Sequence, residues 1–167
     1  IGYASQLAYK RKLDKKMILP LLYPTASFVF LISLYSEFGV MVLFWLLIIV
    51  AATDTGAYFA GKTFGRTPFC ETSPNKTLEG VVGGMIFAVI MGIFTSINEV
   101  GILGAIIVSA IVSLSSVFGD LYESYLKREA GVKDSGNILP GHGGVLDRVD
   151  GYLFGVIVML VLLRIII

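Results

Sequence analysis

The sequence has one cysteine, one histidine and few charged side chains, and each scarcity excludes a class of site. Cys70 has no second cysteine with which to form an intramolecular disulfide or a metal cluster. His142 alone does not make a zinc site. No loop has the glycine and lysine spacing of a P-loop, and we find neither an internal repeat nor a cleavable signal pattern. The net charge of +1 says little about partners, since the placement of the charges matters more than their sum.

Apolar residues are abundant, and they set the fold class. They make up 56% of the chain, and the mean hydropathy is +0.84, beyond the range of ordinary soluble domains. A membrane-spanning helix needs about 20 mostly apolar residues. We therefore predict an all-α polytopic membrane protein, in which one transmembrane domain, 17–167, follows a basic segment, 1–16. The predicted spans are 17–36, 39–60, 78–97, 102–119 and 151–167.

Lysine and arginine lie on alternate connections, which predicts the orientation. They are concentrated before the first span, between the second and third, and between the fourth and fifth, whereas the connections around Glu37 and Glu99 hold none. By the positive-inside rule the basic connections are cytoplasmic. Arg164 is the exception, and near a helix end it can extend to the far interface. Segment 1–16 either sets this topology, which we favour, or attracts anionic lipid.

Two polar positions stand beside the second and third spans. Asp54 is a costly carboxylate within an apolar segment, so it either lines a polar cavity or lies at the interface. Lys76 and Thr77 precede the third span, where free backbone N–H groups and the helix dipole favour an anion. An ordinary helix cap, with Ser73 or Thr77 as N-cap and Glu79 in the first turn, explains this segment equally well.

Three further carboxylates flank the fourth and fifth spans. Asp120 ends the fourth apolar run, and Asp147 and Asp150 share one side of a helix that begins near them. Carboxylate oxygens are ligands that suit Mg²⁺. The alternatives are a solvated helix face for Asp120 and acids favoured by a helix dipole for the other two. His142 lies among glycines, where phosphate binding or proton transfer is more natural than a place in a core.

The stretch between these carboxylates resembles the signature of phosphatidate cytidylyltransferases. The family elements are Ser-x-x-Lys-Arg, Lys-Asp-x-Gly, Pro-Gly-His-Gly-Gly and Asp-Arg-x-Asp, and they occur here at 124–128, 133–136, 140–144 and 147–150. The segments 54–58, 73–80 and 119–120 also look like family motifs, so the resemblance covers about 52–156. Members carry further helices on the N-terminal side. Because the chain begins at Ile1 without these helices, we expect it to be the C-terminal portion of such an enzyme.

The resemblance implies a reaction and roles for individual residues. CTP and phosphatidate would give CDP-diacylglycerol and pyrophosphate, with Mg²⁺ as cofactor and a second cation as an option. The implied metal ligands are Asp120, Asp147 and Asp150. The catalytic set adds Lys127, Arg128, His142 and Arg148. The implied substrate-binding residues are Asp54, Ser73, Asn75, Lys76, Thr77, Glu79, Ser124, Lys133, Asp134, Gly143 and Gly144.

The implied partners are CTP, phosphatidate and the lipid bilayer, with no nucleic acid; a homodimer is left open. The implied location is the inner membrane of a bacterial-type cell, with the site facing the cytoplasm. One alternative is a related CTP-dependent enzyme acting on another lipid, such as a polyprenol-type kinase or an archaeal ether-lipid cytidylyltransferase. A transporter is disfavoured, because the charges gather at one face and not at the midplane.

Overall fold

The structure is a computed structural model that describes residues 15–70, 73, 76–129, 131–132, 135, 144 and 146–167, with side chains from residue 24 onward. Within these residues the chain folds into α-helices. They are α1 (Lys15–Phe38), α2 (Val40–Phe64), α3 (Leu78–Thr95), α4 (Gly101–Glu129) and α5 (Leu146–Ile166), with a short 3-10 helix (Asn98–Val100) before α4. The predicted all-α fold is confirmed.

The helices also confirm a multi-pass membrane protein. In the part of the chain that the structure describes, α2, α3, α5 and the combined 98–129 segment are long and apolar enough to cross a membrane. The first predicted span, 17–36, lies within α1, which is not among these four. Thus the number of spans identified this way is four, against five in the sequence-based prediction.

Three helices extend beyond the predicted spans at the same end of the bundle. α2 continues to Phe64, α4 continues to Glu129, and α5 begins at Leu146. The predicted spans stopped at 60 and 119 and started at 151, because the additional turns are polar and do not resemble membrane-spanning sequence. These turns place Asp120 inside α4 and Asp147 in the first turn of α5.

Small residues bring α2 and α3 into close contact. A Cβ atom added at Gly84 would lie 2.6 Å from the carbonyl oxygen of Thr53, and one added at Gly80 would lie 2.9 Å from that of Ala57. Neither position has room for a larger side chain, so the glycines of α3 serve helix packing here. As a result, the first turn of α3 lies beside the second half of α2, which carries Asp54.

A similar approach joins α4 to α5. A Cβ atom added at Gly119 would lie 2.7 Å from the backbone oxygen of Asp150, so the start of α5 passes directly over this turn of α4. Below it, the hydroxyl of Thr53 donates to that of Ser113 at 2.8 Å and links α2 to α4 in the buried interior. The surrounding core is apolar and includes the fully buried Trp45 and Met159. These contacts hold α2, α4 and α5 together, and these helices carry Asp54, Asp120 and Asp150.

The opposite end of the bundle is closed by an ion pair between α1 and α5. The Nε atom of Arg164 donates to Oε2 of Glu37 at 2.8 Å, and a terminal nitrogen of the same guanidinium contacts Oε1. That nitrogen is also 3.4 Å from the hydroxyl of Ser33. Arg164 therefore extends toward the far end of the bundle, as the sequence indicated, and meets a carboxylate there.

Candidate active site

A cavity of about 500 Å³ opens between α2, α3 and α4 at the end of the bundle that carries most of the described charges. α2 contributes Asp54, well before its end at Phe64, which favours the cavity-wall interpretation of this residue over the interfacial one. The N-terminus of α3 contributes Lys76 and Thr77, and α4 contributes Asp120. The complete polar lining is Thr53, Asp54, Tyr58, Lys62, Lys76, Thr77 and Asp120.

Charged side chains from α2, from the loop before α3 and from α4 line this cavity, and one from α5 interacts with them electrostatically. The ammonium group of Lys76 forms an ion pair with the carboxylate of Asp120, and both side chains are partly exposed. Asp54 interacts electrostatically with both. The carboxylate of Asp150, on α5, interacts electrostatically with those of Asp120 and Asp54. We call Asp54, Lys76, Asp120 and Asp150 the cavity cluster.

The loop before α3 holds Lys76 in place through its backbone. The N–H of Lys76 donates to the carbonyl of Ser73 at 3.0 Å, and its own carbonyl accepts from Phe69 at 2.8 Å. The N–H of Leu78 donates to the carbonyl of Thr67 at 2.9 Å, which closes a short antiparallel turn. Lys76 is thus carried on a fastened loop, and its side chain alone extends into the cavity.

Thr77 and Glu79 stabilise the same loop. The hydroxyl of Thr77 accepts from the N–H of Gly80 at 3.1 Å, so Thr77 is the N-cap of α3. The carboxylate of Glu79 accepts from the hydroxyl of Thr67 at 2.9 Å and from the N–H groups of Arg66 and Thr67 at 3.2 Å. Both residues therefore have structural partners, and their predicted contacts with substrate stay predictions.

A second group of polar residues surrounds Asp147 at the start of α5. One carboxylate oxygen accepts from the ammonium group of Lys127 at 2.7 Å. The other accepts from the hydroxyl of Ser135 at 2.8 Å and from the N–H groups of Ser135 and Gly144 at 2.9 and 2.7 Å. We call Lys127, Ser135, Gly144 and Asp147 the Asp147 cluster. It joins the end of α4 to the start of α5.

With this geometry established, comparison with known proteins identifies the family. The profile of the family described as "Cytidylyltransferase family" matches residues 8–166. The chain belongs to this family. It is 52% identical over 162 residues to a protein named phosphatidate cytidylyltransferase from Helicobacter pylori strain J99, covering 96% of this chain and 61% of that protein. A Bacillus subtilis protein of the same name is 44% identical over 122 residues, covering 71% and 45%.

These relatives confirm the resemblance drawn from the motifs. The chain spans about three fifths of the Helicobacter pylori protein and less than half of the Bacillus subtilis one. Among solved structures, one described as "Structural insight into an intramembrane enzyme for archaeal membrane lipids biosynthesis" aligns with a TM-score of 0.49 at 23% identity. That alignment covers 70% of this chain and 77% of the other.

The other predicted residues of this cytidylyltransferase-family chain are distributed around the two clusters. The hydroxyl of Ser124 donates to Asp120 at 3.4 Å, a long contact between successive turns of α4. Arg128 and Arg148 are exposed, on the last turn of α4 and the first turn of α5. Five predicted site residues lie outside the described residues, namely Asn75, Lys133, Asp134, His142 and Gly143.

The predicted metal set is divided between the clusters. Among the described residues, no group of three histidine, cysteine, aspartate or glutamate side chains could hold an ion. Asp120 and Asp150 belong to the cavity cluster, whereas both oxygens of Asp147 accept hydrogen bonds in the other. Magnesium commonly takes one or two protein carboxylates and fills its remaining positions with water and phosphate oxygens. The carboxylates of the cavity cluster fit that requirement, and the metal roles of Asp120, Asp147 and Asp150 all stay predictions.

Sequence reasoning left Glu123, Ser135 and Lys62 out of the site. Glu123 had a signal, because it is four residues before Lys127 and three after Asp120 and therefore shares their helix face. Ser135 joins the site through a hydrogen bond that no local pattern indicates. Lys62 lines the cavity and lies 5.6 Å from the ring centre of Tyr58, a cation–π contact between adjacent turns of α2.

Proposed function

We propose that the full-length protein transfers CMP from CTP to phosphatidate and releases CDP-diacylglycerol and pyrophosphate. The observation that carries this proposal is the cavity cluster, in which Lys76, Asp54 and Asp120 line a cavity at one end of the apolar helix bundle and Asp150 interacts electrostatically with the two aspartates. The names of the 52% and 44% identical relatives support the same reaction.

In this reaction a phosphate oxygen of the lipid attacks the α-phosphorus of CTP. The bond between the α- and β-phosphates breaks, and pyrophosphate departs with the electron pair of that bond. Phosphatidate is already anionic near neutral pH, so a strong general base is not needed. The main obstacle is bringing two anions together, and catalysis of this type rests on positioning and charge neutralisation.

The residues of the two clusters supply that positioning. The ammonium group of Lys76, carried on the fastened loop before α3, would bind phosphate oxygens in the cavity. Lys127, at the junction of α4 and α5, would do the same beside Asp147. We propose Arg128 and Arg148 as exposed cations that attract the triphosphate. Asp147 holds the end of α4 against the start of α5, so that Lys127, Arg128 and Arg148 would keep a fixed spacing.

Asp120 and Asp150 would hold Mg²⁺, with Asp54 as a neighbouring carboxylate. When bound, the ion would neutralise charge on the phosphate oxygens and on departing pyrophosphate. The three carboxylates repel one another, and a cation relieves this repulsion. Hard carboxylate oxygens are the ligands that Mg²⁺ prefers. Asp147 stays a predicted ligand whose oxygens also serve the junction of α4 and α5.

We further propose that the site faces the cytoplasm across a bacterial inner membrane. Among the described cations, Lys62 and Lys76 line the cavity, and Lys127, Arg128 and Arg148 lie on the helix turns at the same end of the bundle, in agreement with the positive-inside rule for a cytoplasmic surface. CTP and Mg²⁺ are available on that side. The lipid phosphate would reach the cavity from the headgroup region of the same leaflet.

Labelled nucleotide tests the reaction directly. The full-length protein, in detergent with phosphatidate and Mg²⁺, would receive CTP labelled either at the α- or at the γ-phosphate. We expect label from the α-phosphate in the lipid product and label from the γ-phosphate in pyrophosphate. Label from the γ-phosphate in lipid would instead identify a lipid kinase and contradict the proposal. Omission of phosphatidate is the control for background hydrolysis.

A further inference from the structure

Glu123 is a buried carboxylate that the mechanism above does not use. It lies on α4 between Asp120 and Lys127, and only 1% of its side chain is exposed. One carboxylate oxygen is ion-paired with the ammonium group of Lys127, one turn further along the helix. Among the residues that the structure describes, no donor forms a hydrogen bond with the other oxygen, Oε1. A buried glutamate with so few partners is unusual.

Stability does not explain a charge at this position. Taking a carboxylate out of water costs free energy, which a single ion pair recovers only in part. A glutamine would have the same shape and would avoid most of this cost. The charge itself is therefore the property that needs a reason.

The location of Glu123 suggests that reason, because it lies between the two clusters. Through Lys127 it is connected to Asp147, since the same ammonium group contacts both carboxylates. Its charge also acts on Asp150 of the cavity cluster. Glu123 thus contacts the lysine that fastens α4 to α5 and interacts electrostatically with an aspartate of the cavity cluster.

We infer that Glu123 is a positioning residue for the proposed cytidylyl transfer, acting through Lys127. Two carboxylates on different helices, Glu123 and Asp147, hold the ammonium group between them. This arrangement restricts the side chain of Lys127 and fixes the first turn of α5 against α4. Asp150 and the predicted phosphate contacts of Lys127 then keep their places relative to Asp120. The inference rests on the proposed function.

The expected kinetic signature is a loss of turnover without a loss of stability. In E123Q the ammonium group of Lys127 still contacts Asp147 but no longer has the carboxylate of Glu123. The position of the Lys127 side chain is then less restricted. Small displacements of catalytic groups reduce rates strongly, and we expect kcat to fall about tenfold with KM for CTP within about twofold. The melting temperature should stay equal or rise, since a buried charge is removed. A residue with a merely structural role would show the opposite pattern.

The experiment compares E123Q, K127M and the double variant in the full-length protein, with E129Q as the matched control. Glu129 is an exposed glutamate on the last turn of the same helix, and its variant should match the wild type. Because Glu123 acts through Lys127, adding E123Q to K127M should lower kcat less than twofold further. Agreement with the expected kcat, KM and melting temperature of E123Q, with the small further loss in the double variant and with an unchanged control supports the inference.

Other outcomes separate the inference from the function on which it rests. Wild-type kcat in E123Q, a tenfold further loss in the double variant, or failure of E123Q to fold would each overturn the role of Glu123. In all three cases the wild-type protein still forms CDP-diacylglycerol. An inactive wild-type protein would instead contradict the proposed function.

Discussion

The two ends of the helix bundle differ in how their charges are balanced. At the far end, one guanidinium meets one carboxylate, and Arg164 and Glu37 balance each other through two contacts. At the end that carries the cavity of about 500 Å³, which we call the near end, three mutually repelling aspartates share one lysine, and two of these aspartates line the cavity. A matched pair fastens two helices, whereas carboxylates that repel one another provide binding capacity for a cation. Substitutions at the near end should therefore reduce activity, whereas substitutions at the far end should reduce only stability.

D147N, at the end of the bundle that carries the cavity, should cause a large loss of activity. Its carboxylate accepts from Lys127, Ser135 and Gly144, and an amide cannot replace the ion pair or accept with the same strength. We expect turnover to fall at least about a hundredfold while the protein still folds, measured as CMP incorporation into lipid beside gel filtration. E99Q, an exposed acid at the far end, is the matched control. Near-normal activity in D147N would remove this residue from the site.

K76M should have a smaller effect, concentrated on nucleotide binding. The variant removes one cation from the cavity and leaves the backbone hydrogen bonds of the loop intact. We expect KM for CTP to rise by about tenfold or more, from steady-state rates at varied CTP. R66M changes an exposed cation on the same loop and should leave KM unchanged. If both variants raise KM equally, the general charge of the loop matters and the cavity position of Lys76 does not.

The smallest effect is expected from R164M at the far end. Its partner Glu37 is well exposed, and exposed ion pairs add little stability. The melting temperature should fall by only a few degrees, and E37Q should have the same effect alone or combined with R164M. CMP transfer measured below the melting temperature should be unchanged. A large loss of activity in R164M would show that the two ends do not have separate roles.

Local sequence patterns were sufficient for much of the near end. The apolar runs predicted the helices, and the segment before α3 predicted either an anion site at Lys76 and Thr77 or a helix cap at Ser73 or Thr77. For Asp54, the cost of a carboxylate in an apolar segment left a cavity wall as one of two interpretations. These inferences succeed because they depend on neighbours within one or two turns.

The remaining features depend on packing between distant segments. Nothing near Arg164 in the sequence indicates Glu37, because the pair forms only when α1 and α5 lie side by side. Likewise, the burial of Glu123 depends on how far α4 continues beyond its apolar run and on where α5 begins. The partners of Asp147 had the same origin. Spacing placed Asp147 and Asp150 on one side of a helix, but it did not indicate that Ser135 and Gly144 donate hydrogen bonds to Asp147.

Activity of D120N tests the central claim most directly. Asp120 pairs with Lys76, acts on Asp54 and Asp150, and is the proposed ligand of Mg²⁺. The account predicts that CMP transfer by the full-length protein falls about a thousandfold, with a melting temperature equal to or above that of the wild type. E129Q, on the same helix, should retain wild-type activity. Wild-type activity in D120N would contradict the assignment of the cavity cluster as the active site.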